Sequence, residues 1–184
     1  MTTQQITLKY VLTVAAIVVA TWLVHEFAHW LMSEALGYDA IMSFNKVWSV
    51  SGQSPTTTHA LLIAAAGPII TLLQAITAFY FLRSGSWNKY WYAALFTACY
   101  MRLVAGAMNI INLNDEGWIS NQLGIGTYTL PILVAGLLCW MVYQTAKHYQ
   151  LSWRFQVSLT VLVVIVSSIL ILSDQFFMIR LLGW

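Results

Sequence analysis

Charged residues are scarce in this chain. Its 184 residues include 8 lysines and arginines and 6 aspartates and glutamates, so that only 8% are charged while 60% are hydrophobic. An ordinary soluble domain carries about 25% charged residues. The composition therefore predicts an all-α polytopic membrane protein. A net charge of +2, with no basic run, excludes the nucleic-acid-binding class.

Cysteine is scarce as well. Cys99 and Cys139 both lie in apolar segments, which excludes a disulfide framework and favours small core residues. The run VLTVAAIVVA near the N-terminus has the character of a signal-peptide h-region. Cleavage near Ala20 would leave the run HEFAH of residues 25–29 at a new N-terminus, outside its helix. We therefore expect the first segment to be a retained membrane span.

Long apolar segments are plentiful by contrast. A span needs about 20 apolar residues, and five segments qualify, at residues 8–36, 59–82, 90–113, 129–149 and 155–172. We expect a single membrane-embedded domain of about five transmembrane helices. Residues 174–184 form an amphipathic tail that is expected to lie at the membrane interface.

The connection over residues 37–58 differs from the other loops. The pieces IMSFN and KVWSVS alternate β-prone residues and are followed by the turn signals Ser51-Gly52 and Ser54-Pro55. The pattern is compatible with a small membrane-associated β-hairpin, or with an ordinary loop.

Lysine and arginine counts give an orientation. Alternating spans place five basic residues on the side of the N-terminus and two on the opposite side, namely Lys9, Arg83, Lys89, Lys147 and Arg154 against Lys46 and Arg180. Because short cytoplasmic loops are enriched in Lys and Arg, we expect the N-terminus to be cytoplasmic.

The run HEFAH lies inside the first apolar segment. His25 and His29 are four residues apart, so on a helix they share one face and can bind one metal ion. Glu26 beside them can act as general base on a water held by that metal. Ionisable groups in lipid are costly and mark functional sites, which favours a catalytic zinc site within the membrane.

A catalytic zinc takes three protein ligands, so a third must come from another segment. Asp115 and Glu116, at the end of the third span, are the candidates. At about 1.5 Å per residue, the histidines and these acids both fall in the membrane half away from the N-terminus. Asp115 is the preferred third ligand and Glu116 the alternative.

These motifs together resemble the site-2 protease family of intramembrane zinc metalloproteases. The resemblance rests on HEFAH, on the AAGP of residues 65–68, and on the asparagine-rich segment NIINLNDEG of residues 109–117. It covers about residues 8–125, a three-span catalytic core, and residues 129–172 add two spans. The resemblance implies a zinc ion held by His25, His29 and an aspartate, and cleavage of a transmembrane protein substrate. We expect a compact form of the family, without a PDZ or other regulatory domain.

The chain departs from the family pattern in three respects. Glu116 stands directly before Gly117, where the family usually has aspartate, and the proline usual between asparagine and acid is missing. The charge count also places the site nearer the outer face, whereas most of the family places it toward the cytosol.

Three polar residues of the third segment are further candidates. Arg102, Asn109 and Asn112 could stabilise an oxyanion or bind substrate, or could serve only to hold helices together. Two other functions stay open, a membrane zinc hydrolase of a non-peptide lipid substrate and a non-catalytic zinc-binding scaffold. Glu26 argues against the scaffold, since a structural site needs no base.

Overall fold

Six helices and one small hairpin make up the described part of the chain. The computed structural model describes residues 4–50, 54–177 and 179–183. The helices are α1 (Leu8–Ala35), α2 (Thr57–Ser84), α3 (Lys89–Met108), α4 (Asp115–Gln122), α5 (Thr129–His148) and α6 (Trp153–Phe177), and the strands are β1 (Ala40–Met42) and β2 (Val47–Ser49). The mostly helical fold predicted from the composition is therefore confirmed.

Four of the described helices, α1, α2, α5 and α6, are long and apolar enough to cross a membrane. The sequence predicts five spans, and the difference is α3, which carries Arg102 and Lys89 and is less apolar. Its side chains, among them Tyr92, Leu95 and Met101, are buried against neighbouring helices. A helix enclosed by protein needs less apolar surface than one facing lipid, which explains why composition separates α3 from the others.

Side-chain caps mark where the long helices begin. Thr7, Thr56 and Asn88 each accept a hydrogen bond from a main-chain N–H in the first turn of α1, α2 and α3 respectively. Such caps satisfy donors that have no partner within the helix. They place the first turns of three of the helices that build the site.

Two boundaries differ from the sequence expectation. The third helix ends at Met108 rather than near residue 113, and the separate helix α4 follows a short turn. Helix α6 continues to Phe177, so Asp174 belongs to that helix and not to the predicted tail. The asparagines of the turn and the hydrogen bonds of Asp174, described below, explain both shifts.

Of the two alternatives for residues 37–58, a small hairpin or an ordinary loop, the structure has the hairpin. β1 and β2 pair antiparallel with Ile41 opposite Trp48, and Met42 also forms a bridge with Leu182 near the C-terminus. β1 therefore has β2 on one side and the C-terminal segment on the other.

Candidate metal centre

His25 and His29 lie on one buried face of α1. Their Nε2 atoms are 3.1 Å apart, and the residues are 3% and 7% exposed. The four-residue spacing places the two rings one helical turn apart, as the sequence predicts. This face is turned toward α2 and the start of α4.

Helix α2 orients both imidazole rings. The Thr71 hydroxyl donates to the Gly67 carbonyl, 3.0 Å away, so it accepts from His25 Nδ1, also at 3.0 Å. His29 Nδ1 lies 2.7 Å from the Ile63 carbonyl, which can only accept. Each imidazole therefore carries its proton on Nδ1 and directs the lone pair of Nε2 into the site. Hydrogen bonds of this kind fix the tautomer of metal-binding histidines.

Gly67 allows α2 to approach these rings. A Cβ atom at this position would lie 2.5 Å from His25 Cε1 and 2.7 Å from His25 Nε2, and nearer still to His29 Nε2. These distances are too short for any real side chain, so the position requires glycine. Gly67 therefore faces the candidate ligands directly.

Asp115 reaches the histidines from the first position of α4. Its Oδ2 atom lies 3.3 Å from His25 Nε2 and 3.4 Å from His29 Nε2. The three residues form a group that could hold a metal ion. Because the two Nε2 atoms present lone pairs and the carboxylate is an acceptor, a proton or a cation must lie among them.

The surroundings keep the Asp115 carboxylate ionised. Desolvation raises the pKa of Asp115, but a proton shared between its Oδ2 atom and the Nε2 atoms of His25 and His29 lowers that pKa by more, so that the net result is well below the usual range. An ionised carboxylate is the form that ligates a cation.

Two asparagines shape the turn that presents Asp115. Asn109 Oδ1 accepts from the Asn114 main-chain N–H at 2.8 Å, and Asn109 Nδ2 donates to the Ala105 carbonyl at 3.1 Å. Asn114 Nδ2 donates to the same carbonyl at 2.8 Å. Gly117 packs so closely on Asn109 that a Cβ atom there would overlap the amide. These contacts end α3 and start α4 in the direction of the histidines.

Arg102 and Glu116 form a buried ion pair beside the centre. Arg102 Nη1 donates to Glu116 Oε1 at 2.9 Å, and the two residues are 3% and 4% exposed. The same Nη1 lies 3.7 Å from Asp115 Oδ2, and Nη2 lies 3.4 Å from His25 Nε2. Glu116 therefore neutralises the charge of Arg102, whereas the neighbouring Asp115 faces the imidazoles of His25 and His29.

A cavity of about 650 Å³ opens onto this group. Its wall includes His25, Glu26, His29, Arg102 and Asp115, together with hairpin residues Lys46, Val47, Trp48 and Ser49. Glu26 is 7% exposed. The arrangement thus joins three candidate ligands, an acid–base side chain and a guanidinium in one space large enough for a peptide segment.

The predicted residues separate into two groups. His25, Glu26, His29, Asp115 and Arg102 border the cavity. Three others do not: Glu116 pairs with Arg102, Asn109 supports the turn, and Asn112 is exposed. Nothing in the structure tests the substrate or oxyanion role predicted for the two asparagines.

Several residues of the site escaped the sequence reasoning. They are Thr71, which orients His25; Asn114, which borders the cavity; and Asp174, which contacts the hairpin. A hydroxyl one turn after Gly67 was an available signal for Thr71. Asp174 could also have been found from the sequence, because it is one of only 6 acidic residues and lies at the end of an apolar segment.

Comparisons with protein-family models, with curated proteins and with solved structures find no match for this chain. The geometry of the site therefore carries the functional argument.

Proposed function

We propose that this chain is an intramembrane zinc metalloprotease of the site-2 protease type. The observation that carries the proposal is the triangle formed by His25 Nε2, His29 Nε2 and Asp115 Oδ2, with sides of 3.1, 3.3 and 3.4 Å. Tetrahedral zinc with bonds of about 2.0–2.1 Å places its ligands about 3.3 Å apart. Two nitrogens and one oxygen are also a donor set that zinc accepts and that magnesium or calcium disfavours.

His25, His29 and Asp115 would hold a zinc ion, and all three border the cavity, so the ion would be accessible from it. Zinc bound there supplies a Lewis acid that acidifies water and polarises a carbonyl. Glu26, next to His25 in the chain and in the cavity wall, takes the proton of the attacking water and returns it to the leaving amine. Arg102 offers its guanidinium to the negative charge that develops on the carbonyl oxygen.

A peptide substrate is supported by the hairpin. Met42 and Val47 form one register pair, and the main-chain groups of Met42 point away from β2, since they bond to Leu181 and Leu182. In an antiparallel ladder both members of such a pair point outward, so the groups of Val47 point away from β1. Val47 also borders the cavity. An extended peptide can add to this edge by main-chain hydrogen bonds.

The substrate class follows from the setting of the site. The histidines lie within α1, a helix long and apolar enough to cross a membrane, which supports a transmembrane helix as the proposed substrate. A helix keeps its carbonyls in internal hydrogen bonds, and it must unwind locally before a carbonyl is attacked. Pairing with β2 would stabilise the unwound segment.

Glu26→Gln tests the proposal. We expect the variant to retain zinc, because Glu26 is not among the three ligands, and to lose peptide hydrolysis by a factor of about 100 or more. Zinc is measured by elemental analysis of purified protein. Cleavage is measured by proteomic comparison of membranes that contain wild-type or variant protein, in which uncut transmembrane substrates accumulate with the variant.

Glu34→Gln is the matched control. It removes a carboxylate from the same helix, but the amide oxygen can still accept the hydrogen bond that Glu34 Oε1 accepts from Ala40 N–H. Wild-type cleavage by Glu26→Gln protein would overturn the mechanism. Zinc binding with loss of lipid hydrolysis, and no uncut protein, would instead favour a lipid substrate.

A further inference from the structure

The hairpin is fastened to α6 by one buried carboxylate. Asp174 Oδ2 accepts from the Ser43 hydroxyl at 2.9 Å, and Asp174 Oδ1 accepts from the Phe44 main-chain N–H at 3.0 Å. Asp174 is 7% exposed. A buried charge is costly unless it is well hydrogen-bonded, and here both oxygens are used to hold the turn between β1 and β2.

The C-terminal segment holds the same hairpin from its outer side. Leu181 N–H donates to the Met42 carbonyl at 2.8 Å, and Met42 N–H donates to the Leu182 carbonyl at 2.9 Å. Gly183 has φ of +80°, and a Cβ atom there would lie 2.9 Å from Ile41 Cα. The left-handed conformation and the close approach both require glycine. This pairing occupies the outer edge of β1. The outer edge of β2 is the strand edge that faces the cavity.

Helix α6 also forms part of the cavity wall. Ile171 and Gln175, which flank Asp174 in the chain, border the cavity together with Val47 and Trp48 of β2. The turn that leads into β2 is therefore held from α6, which supplies no candidate ligand. The start of β1 is held from α1, where Glu34 Oε1 accepts from the Ala40 main-chain N–H.

We infer, building on the proposed proteolytic function, that Asp174 is a positioning residue for substrate. Its two hydrogen bonds fix the distance between the edge of β2 and the metal centre, so that an extended segment laid along Val47 brings a carbonyl to the ligand triangle. Without the hydrogen bonds to Asp174, β2 still presents its edge, but the distance between that edge and the metal centre varies. Binding of the unwound substrate therefore suffers, while the chemistry on a bound substrate persists.

Cross-linking tests the structural half. Met42→Cys and Leu182→Cys are introduced into full-length protein in which Cys99 and Cys139 are alanine, because the two positions are bridge partners. We expect efficient disulfide formation on oxidation in membranes, and at least severalfold slower formation when Asp174→Ala is added. Asp174→Asn should keep most of the wild-type rate of disulfide formation, because its amide oxygen can still accept from Phe44 N–H.

Kinetics test the functional half. With a transmembrane-helix peptide in detergent, Asp174→Ala should raise KM by about tenfold or more, because both hydrogen bonds that hold the turn are lost and a single hydrogen bond to a charged group already corresponds to about tenfold. The value of kcat should stay within about twofold of wild type, since the ligands and Glu26 are untouched. Asp174→Asn should restore most of the affinity. Asp39→Asn is the charge control, because Asp39 is exposed just before β1 and contacts neither Ser43 nor Phe44 through its side chain.

The two readouts separate failure of this inference from failure of the proposed function. Unchanged cross-linking in Asp174→Ala, or a fall in kcat with unchanged KM, overturns the positioning role. If the wild-type protein cleaves no peptide, the protease proposal fails, and the part of the inference that concerns substrate fails with it. Cross-linking still decides whether Asp174 holds the hairpin.

Discussion

At the scale of single residues, two adjacent acids have different partners. Asp115 faces His25 and His29, whereas Glu116 pairs with Arg102. Neighbouring side chains on a helix point about 100° apart, so the start of α4 can direct only one of them to the imidazoles. The order of the two acids is therefore not interchangeable.

Metal content distinguishes the two acids. We expect Asp115→Ala to lose the metal, because one of three ligands is gone, and Glu116→Gln to keep it. Glu116→Ala should unfold more readily than Glu116→Gln, because the glutamine amide oxygen can still accept from Arg102 Nη1, whereas alanine removes this partner of the buried arginine entirely, at a cost of about 3 kcal/mol or more. Elemental analysis and thermal unfolding of the three purified variants measure both effects. Metal retained by Asp115→Ala but lost by Glu116→Gln would reverse the assignment.

Gly67 offers a second test at this scale. Gly67→Ala should abolish metal binding, because the new methyl group would overlap the imidazoles of His25 and His29. Gly136→Ala is the matched control, since a Cβ atom at that helical position meets nothing within 4 Å. The control should bind metal normally and be stabilised by up to about 1 kcal/mol, as expected for Gly to Ala in a helix. Equal metal content in both variants would contradict the described approach of α2.

The histidine pair was predictable because its spacing is local to one helix. The choice between Asp115 and Glu116 was not, because it depends on how Asn109 and Asn114 end α3 and start α4. That turn is a set of side-chain to main-chain bonds which no periodicity in the sequence encodes. The ion pair between Arg102 and Glu116 depends on the same turn.

At the scale of elements, the packing of α3 on α5 brings the two cysteines together. Cys99 Sγ and Cys139 Sγ are 3.6 Å apart, although 40 residues separate them in the chain. The apolar surroundings in the sequence indicated core residues, and Cys99 is buried while Cys139 is exposed. Their contact was beyond sequence reasoning, because it depends on the rotation of two helices about their axes.

Mild oxidation measures this packing. We expect iodine to convert Cys99 and Cys139 to an intramolecular disulfide, since a change of side-chain rotamers can reduce 3.6 Å to the bond length of about 2.05 Å. Mass spectrometry after proteolysis would show peptides of α3 and α5 joined. The Cys99→Ala variant provides the control without a cross-link. Intermolecular dimers in place of the internal bond would contradict the described helix contact.

The helices and the hairpin differ in how well the sequence predicted them. α1 and α2 begin and end within two residues of the expected spans, because their apolar runs are long and their caps are local. α4 was missed, since its eight residues DEGWISNQ have no apolar periodicity. The bridge between Met42 and Leu182 joins distant parts of the chain and leaves no local signal.

At the scale of the whole molecule, the buried α3 decides the topology. If α3 crosses the membrane with the four apolar helices, the two ends of the described chain lie on opposite sides. If α3 does not cross, the two ends lie on the same side. The charge count predicts that the N-terminus and the loop between α5 and α6 are cytoplasmic.

Epitope accessibility tests this topology. We expect a tag at the N-terminus to be protected from protease in sealed cells and a tag at the C-terminus to be cleaved. A tag inserted between Gln150 and Ser152, in the loop that carries Lys147 and Arg154, should behave like the N-terminal one. Two tags on the same side would show that α3 does not span.

The dispersal of the ligands along the chain has a consequence for biogenesis. His25 and His29 enter the bilayer with the first helix to be synthesised, whereas Asp115 emerges about 90 residues later, when α3 has been made. Until then Thr71 and the Ile63 carbonyl of α2 are the partners available to the imidazoles. Under the proposed function, a metal ion that needs all three ligands would therefore be bound only after α3 has been made, and a nascent chain truncated before α4 should leave the ribosome without metal. Bound metal would then distinguish a polypeptide whose helices have assembled from one whose helices have not.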